Sequence, residues 1–249
     1  MSRTMAVIQP RGTTAGCKPH HARKLGGQSL MERVVRRVTD CERLERVVVV
    51  VSDRPEDEEI FNLVPRDVAV FVSQRHDALA RVSDAVDHFR PDAVVCVPAD
   101  QPCIDPDFVD RLIITAGEHP TCDYISYSSR DGQPAILSPL GVFAEWCRSS
   151  ALRRADREAT SASDREEVTR YLYSHPEIFR LRLIPVPTEL DRDDLRLTVE
   201  HEEDWDHLHT IYDALGHEGF EWRQITDLLH RNPQVLARMA HLNREFATR

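Results

Sequence analysis

Hydrophobic and polar positions follow two rhythms along the first hundred residues. Met5 to Gln9, Val47 to Val51, Val68 to Val72 and Ala93 to Val97 are short apolar runs. They are rich in β-branched residues, and Val47 to Val51 is five consecutive valines, as a strand buried on both faces of a parallel sheet requires. Longer amphipathic stretches separate them. Ser29 to Thr39 places Leu30, Val34, Val35 and Val38 on one helical face with arginines opposite, and Pro55 to Leu63 and Leu79 to Phe89 also read as helices. Strand, helix, strand at this spacing predicts a right-handed βαβ series, with the ligand crevice beyond the carboxyl ends of the strands. The segments after Gln9, Val51, Val72 and Val97 should therefore converge on one site.

The second half is less regular. Ile125 to Tyr127 and Ala135 to Leu137 read as strands, and Leu140 to Arg148 and Asp164 to His175 as helices. Leu195 to Val199 reads as a strand entering an acidic helix, Glu202 to Leu215, and amphipathic helices follow at Trp222 to Arg231 and Pro233 to Phe246. There is no internal repeat, low-complexity tract or linker. One domain over 1–249 is the economical expectation, with an excursion around 125–190.

Charge narrows the partners. Lys and Arg number 32 against 42 Asp and Glu, a net charge of −10, so no overall positive field is present to hold a nucleic-acid polymer. No apolar run approaches the roughly 20 residues of a membrane span, and Met1 to Met5 lead straight into the first apolar run without a leader. The expected setting is cytoplasmic. Six scattered cysteines form no Cys-x-x-Cys pair and read as small core residues.

Against that acidic background, the loop from Gln9 to Lys24 gathers Arg11, Lys18, Arg23 and Lys24 with Gly12 and Gly16. Backbone N–H groups beside cations suit phosphates, although a solvated loop would look similar; it is neither a Walker loop nor Gly-x-Gly-x-x-Gly. Asp100 follows a buried strand, where a hard cation bridging to phosphate would sit, while Asp105, followed by Pro106, fits a helix N-cap. Glu200 occupies the equivalent strand end on another segment, so Asp100 and Glu200 together suit Mg2+. The 12 histidines include no zinc-ligand spacing, and no Gly-x-Ser-x-Gly is present.

At these residues the chain resembles the cytidylyltransferases of bacterial surface-sugar biosynthesis, in the spore coat polysaccharide biosynthesis protein F-like branch related to acylneuraminate and Kdo cytidylyltransferases. Ile8 to Arg11, Leu25 to Leu30, Val48 to Asp53 and Asp77 to Arg81 match successive family motifs. So do Ala99 to Pro106, Asp164 to Tyr173 and Leu195 to Glu200. The resemblance implies a three-layer α/β/α sandwich with a mixed, mostly parallel sheet of the nucleotide-diphosphosugar transferase type. It implies transfer of CMP from CTP to an acidic sugar, with Mg2+ and release of pyrophosphate, and a homodimer built through the 125–190 excursion. Carried onto this sequence, Arg11 and Lys18 would be catalytic, and Asp100 and Glu200 would hold the metal. Gln9, Pro10, Arg11, Gly12, Lys24, Asp77, Arg81 and Ala99 would bind the nucleotide.

Several positions depart from the family. Its loop Arg and Lys positions are Gly16 and His20, its second metal Asp is Glu200, and its His and Pro in the Asp164 to Tyr173 motif are Glu167 and Arg170. Its acidic Leu-Asp-Val-Glu stretch has no counterpart near 135–140. Those departures keep a second reading open: a relative that binds a nucleotide or sugar without cytidylyl transfer. A glycosyltransferase on the same fold would normally carry Asp-x-Asp, which is absent from Val97 to Asp100.

Overall fold

The computed structural model describes residues 3–10, 20–216 and 219–246, apart from the side chain of Glu56. The strands are β1 (Thr4–Gln9), β2 (Lys24–Leu25), β3 (Gln28–Ser29), β4 (Arg46–Ser52), β5 (Ala69–Ser73), β6 (Ala93–Pro98), β7 (Tyr124–Ser128), β8 (Glu145–Arg148) and β9 (Leu181–Pro185). The helices are α1 (Leu30–Thr39), α2 (Pro55–Phe61), α3 (Ala78–Phe89), α4 (Pro106–Glu118), α5 (Ser149–Glu158), α6 (Ala162–Glu166), α7 (Arg170–Ser174), α8 (Glu202–Leu215), α9 (Trp222–His230) and α10 (Pro233–Phe246). Seven strands form one sheet in the order β5-β4-β1-β6-β8-β7-β9, and β2 pairs with β3 in a small hairpin. Within the large sheet only β8 runs against its neighbours.

Alternation along the strands explains the layers. Ala6, Ile8, Val49 and Val51 face a core completed by α1, α4, α8, α9 and α10, whereas Met5, Val7, Val48 and Val50 face a second core completed by α3, α5 and α7. The valine run thus serves both faces, and the molecule is the expected α/β/α sandwich with a mixed, mostly parallel sheet. None of the described helices is long and apolar enough to cross a membrane.

The first-half elements fall where the hydrophobic pattern puts them; the second half needs correction. Ala135–Leu137 is a 3-10 turn, because Pro134 and Pro139 bracket it and leave no ladder to join. Leu140 to Arg148 contains β8 rather than a helix. Gly141 sits at φ +64°, and Glu145–Arg148 is captured between β6 and β7, so tertiary pairing overrides local preference. Asp164 to His175 is two short helices broken at Glu167–Thr169. Leu195 to Val199 runs outside the sheet, its backbone N–H groups bonding from Leu197 and Thr198 to the Pro139 carbonyl and from Val199 to that of Asp100. The pattern also missed α5 and the edge strand β9. Five cysteines are free and buried, as core residues should be; Cys17 lies outside the described residues.

Candidate functional site

A cleft of about 1420 Å3 opens over the carboxyl ends of the parallel strands. Its first wall carries Gln9 and Pro10 at the end of β1, Ser52 at the end of β4 with Arg54 just beyond it, and Asp77 and Arg81 at the start of α3. Ile136 to Leu140, the 192–200 segment and the end of α10 form the facing wall. Glu145 and the break between α6 and α7 close one side.

The first wall is built by strand-end hydroxyls and helix caps. Asp57 accepts from the Ser52 N–H at 2.8 Å and its hydroxyl at 2.6 Å, which fixes the exit of β4. Asp77 caps α3 by accepting from Ala80 N–H and pairs with Arg165 at 3.0 Å, so its carboxylate is a structural anchor of this wall. Arg81 donates to the His76 carbonyl at 2.8 Å. With the Gln9 amide oxygen turned toward it, Arg81 also donates from Nε and Nη2 at 3.2 and 3.0 Å. Burial pulls the Arg81 pKa down, but a guanidinium stays charged, leaving a half-buried cation facing the cleft.

The facing wall rests on a buried ion pair. Arg196, whose side chain is only 3% exposed, donates to both oxygens of Asp204 at 2.5 and 3.0 Å and reaches Glu200 at 3.3 Å. Burial opposes its charge, but Asp204 and Glu200 outweigh that and raise its pKa. Asp204 also accepts from Glu200 and His201 N–H, capping α8. Along this stretch Arg196, Thr198 and Glu200 face the cleft, while Leu197 and Val199 face the core. Phe246 stacks on His201 at 3.6 Å and lies 5.3 Å from the Arg196 guanidinium, joining the end of α10 to the segment.

The two expected metal carboxylates come from adjoining segments. The Val199 N–H donates to the Asp100 carbonyl at 2.9 Å, which sets the Glu200 stretch beside the exit of β6. Asp100 is buried next to Gln101, and Glu200 lines the cleft. No group of three or more metal-ligating side chains occurs among the described residues, so a cation held by Asp100 and Glu200 would have to fill its remaining positions from phosphate and water. Two nearby polar atoms fit such a hydrated ion. Gln101 Oε1 and Thr198 Oγ1 are buried in the cleft floor with no hydrogen-bond partner. Asp105 takes the other role expected of it, capping α4 through Asp107 N–H while also accepting from Trp222 N–H at 3.0 Å.

Other expected residues are placed less directly. Arg11, Gly12 and Lys18 lie outside the described residues. Lys24 is exposed on β2, away from the cleft lining, and Ala99 is buried with its N–H donated to the Gln9 carbonyl at 3.3 Å. Sequence reasoning passed over Gln101, Thr198, Arg54 and the Arg196–Asp204 pair. It also passed over Glu145, a buried carboxylate on β8 that accepts from the Tyr124 hydroxyl and, at 2.6 Å, from Thr169. The signal for Thr198 and Arg196 was their alternation with Glu200.

Residues 14–170 match the family described as MobA-like NTP transferase domain. Among curated proteins, the chain is 26% identical over 237 residues to the uncharacterized protein MJ1063 of Methanocaldococcus jannaschii, covering 94% of this chain and 93% of that one. It is 23% identical over 242 residues to the spore coat polysaccharide biosynthesis protein SpsF of Bacillus subtilis, covering 94% and 97%. Among solved structures, a cytidylyltransferase from Leptospira borgpetersenii superposes with a TM-score of 0.81 at 20% identity, over 95% of this chain and 97% of that one. A CMP:2-keto-3-deoxy-manno-octonic acid synthetase complexed with CTP superposes at 0.63 with 12% identity, over 86% and 100%. Rv0371c of Mycobacterium tuberculosis in complex with manganese superposes at 0.56 with 16% identity, over 83% and 98%. These likenesses establish a shared fold.

Proposed function

The chain belongs to the family of MobA-like NTP transferase domains, and from that premise we propose that it transfers CMP from CTP to the hydroxyl of an acidic sugar for surface-polysaccharide synthesis. The observation that carries this reading is that Glu200 lines the cleft on a segment whose Val199 N–H donates to the Asp100 carbonyl, which sets the two carboxylate residues on adjoining segments. The sugar oxygen attacks the α-phosphorus, the bond from that phosphorus to the bridging β-phosphate oxygen breaks, and the hydroxyl proton is released to solvent with pyrophosphate as the leaving group. Asp100 and Glu200 would hold Mg2+, which when bound neutralises phosphate charge and aligns the oxygens for in-line displacement. Arg81 and the Gln9 amide offer donors to the nucleotide, and the resemblance would assign Arg11 and Lys18 to the leaving group, whose developing charge is the largest electrostatic demand of such a reaction. The acidic acceptor is favoured by Arg244, exposed at the cleft with no ion pair among the described residues, and by the octonic acid of the synthetase with this fold.

The test is pyrophosphate release by the purified protein with Mg2+, each of four nucleoside triphosphates, and a panel of acidic sugars including 2-keto-3-deoxy-manno-octonic acid. Release with CTP above the other nucleotides is expected. Neither nucleotide binding nor release across the panel overturns the proposal. One observation favours the reading without transfer: at the family's lysine position, burial and Arg23 hold His20 below its ordinary pKa, so it is neutral at pH 7. Gly16→Arg with His20→Lys separates the two. A large gain in CTP affinity marks a site that has lost its transfer cations, whereas no change or a loss marks an altered but working loop.

A further inference from the structure

Gln101 and Thr198 flank the carboxylate pair in sequence, one residue after Asp100 and two before Glu200. Gln101 is 2% exposed and Thr198 4%, both line the cleft, and neither Gln101 Oε1 nor Thr198 Oγ1 has a hydrogen-bond partner. A buried polar atom without a partner costs about 1–3 kcal/mol, so two such residues in the lining of one cleft point to a ligand.

The chemistry of the atoms says which ligand. An amide oxygen only accepts hydrogen bonds, and phosphate oxygens also only accept, so in the orientation held here Gln101 Oε1 faces a donor rather than the triphosphate. It needs an O–H or N–H group. A cation held by only two protein carboxylates keeps several waters, and Mg2+ in particular dehydrates reluctantly. Water on a divalent cation is a strengthened donor. The position of Thr198 supports this source. It alternates with Glu200 along an extended segment, so both side chains face the same way, with Leu197 and Val199 in the core behind them. Gly141 holds that stretch in place: a Cβ there would stand 2.6 Å from Leu197 C and 2.7 Å from Thr198 N, so the Pro139–Gly141 backbone lies directly against Thr198.

We propose that Gln101 and Thr198 are positioning residues for the hydrated divalent cation, accepting hydrogen bonds from its waters through Gln101 Oε1 and Thr198 Oγ1. They would act as outer-sphere partners of the Asp100–Glu200 site and bias it toward a cation that retains its water. The inference rests on the reading of Asp100 and Glu200 as metal carboxylates, and both can be tested without an acceptor sugar.

The experiment is titration of the full chain with Mn2+ followed by electron paramagnetic resonance, with and without CTP. Wild-type binding that Asp100→Asn abolishes tests the carboxylates. Gln101→Met and the isosteric Thr198→Val are expected to weaken Mn2+ binding about tenfold or more each, in the range found for outer-sphere partners. Thr198→Ser, which keeps the hydroxyl, is expected to retain wild-type affinity; metal-free CTP binding should be unchanged in all three, and the thermal midpoint of Gln101→Met and Thr198→Val without metal should be no lower than that of the wild type. Mn2+ affinity within twofold of wild type in Gln101→Met and Thr198→Val overturns the inference while leaving the carboxylate site standing. Equal weakening in Thr198→Ser overturns the role of the hydroxyl, and absence of Mn2+ binding to the wild type overturns site and inference together.

Discussion

Arg196 is the residue whose environment decides most about the facing wall. A guanidinium that deep persists only because Asp204 meets it with both oxygens, Glu200 adds a third contact, and Phe246 covers its face. Removing one partner leaves an uncompensated charge, so Asp204→Ala is expected to lower unfolding stability by about 3–5 kcal/mol in a urea titration. A loss below about 1 kcal/mol would show that solvent reaches the guanidinium. Gly141 is the second sensitive position. Its φ of +64° and the 2.6 Å approach to Leu197 leave no room for a methyl group, so Gly141→Ala should destabilise by about 2 kcal/mol or more, read from the same titration. Asp100 and Glu200 were visible in the sequence because each follows an apolar run. The Arg196–Asp204 pair was not, because two opposite charges eight residues apart carry no period that marks them as buried together.

Among the elements, those with a repeating apolar pattern were legible and those defined by their neighbours were not. The valines of β4 and the apolar stripe of α1 announce themselves. β8 does not, since Glu145–Arg148 becomes a strand only when β6 and β7 are present to pair with it. The 195–200 segment errs the other way: its alternation is real, but it serves the cleft and the core rather than a sheet. Helix α8 carries a pH signature. Burial lowers the pKa of His207 from its ordinary 6.5, the opposing pulls of Asp204 and Asp206 being too small to restore it. Below pH 6.5 the unfolded chain takes up a proton that the folded helix resists, so stability falls as pH falls through that region. His207→Leu is expected to make that acid-side slope shallower in denaturation curves taken at successive pH values; an unchanged slope would assign it to other groups.

At the scale of the whole molecule, the cleft joins the two halves of the sequence. The first half supplies Gln9, Arg81 and Gln101, and the second supplies Thr198 and Glu200. A ligand that spans both halves should stabilise the fold as a unit. CTP with Mg2+ at about 100 times its Kd is expected to add roughly 2.7 kcal/mol, seen as a single shifted transition in calorimetry. A shift confined to one of two resolved transitions would show that the nucleotide grips only one half. The net charge of −10 sets the background for this binding: the molecule repels polyanions at a distance, so a phosphate ligand would depend on local cations such as Arg81.

The seat of α10 has a temporal consequence. Asn243 donates to the carbonyls of Asp193 and Leu195, and Phe246 closes over His201 and Arg196, so the stretch ending in Glu200 is fastened by the helix that leaves the ribosome after all the described strands. During synthesis the first wall of the cleft and Asp100 emerge long before Glu200 is secured. A nascent chain can therefore assemble its sheet while the 195–200 wall of the cleft is still unfastened, and that wall is secured only once α10 has been made.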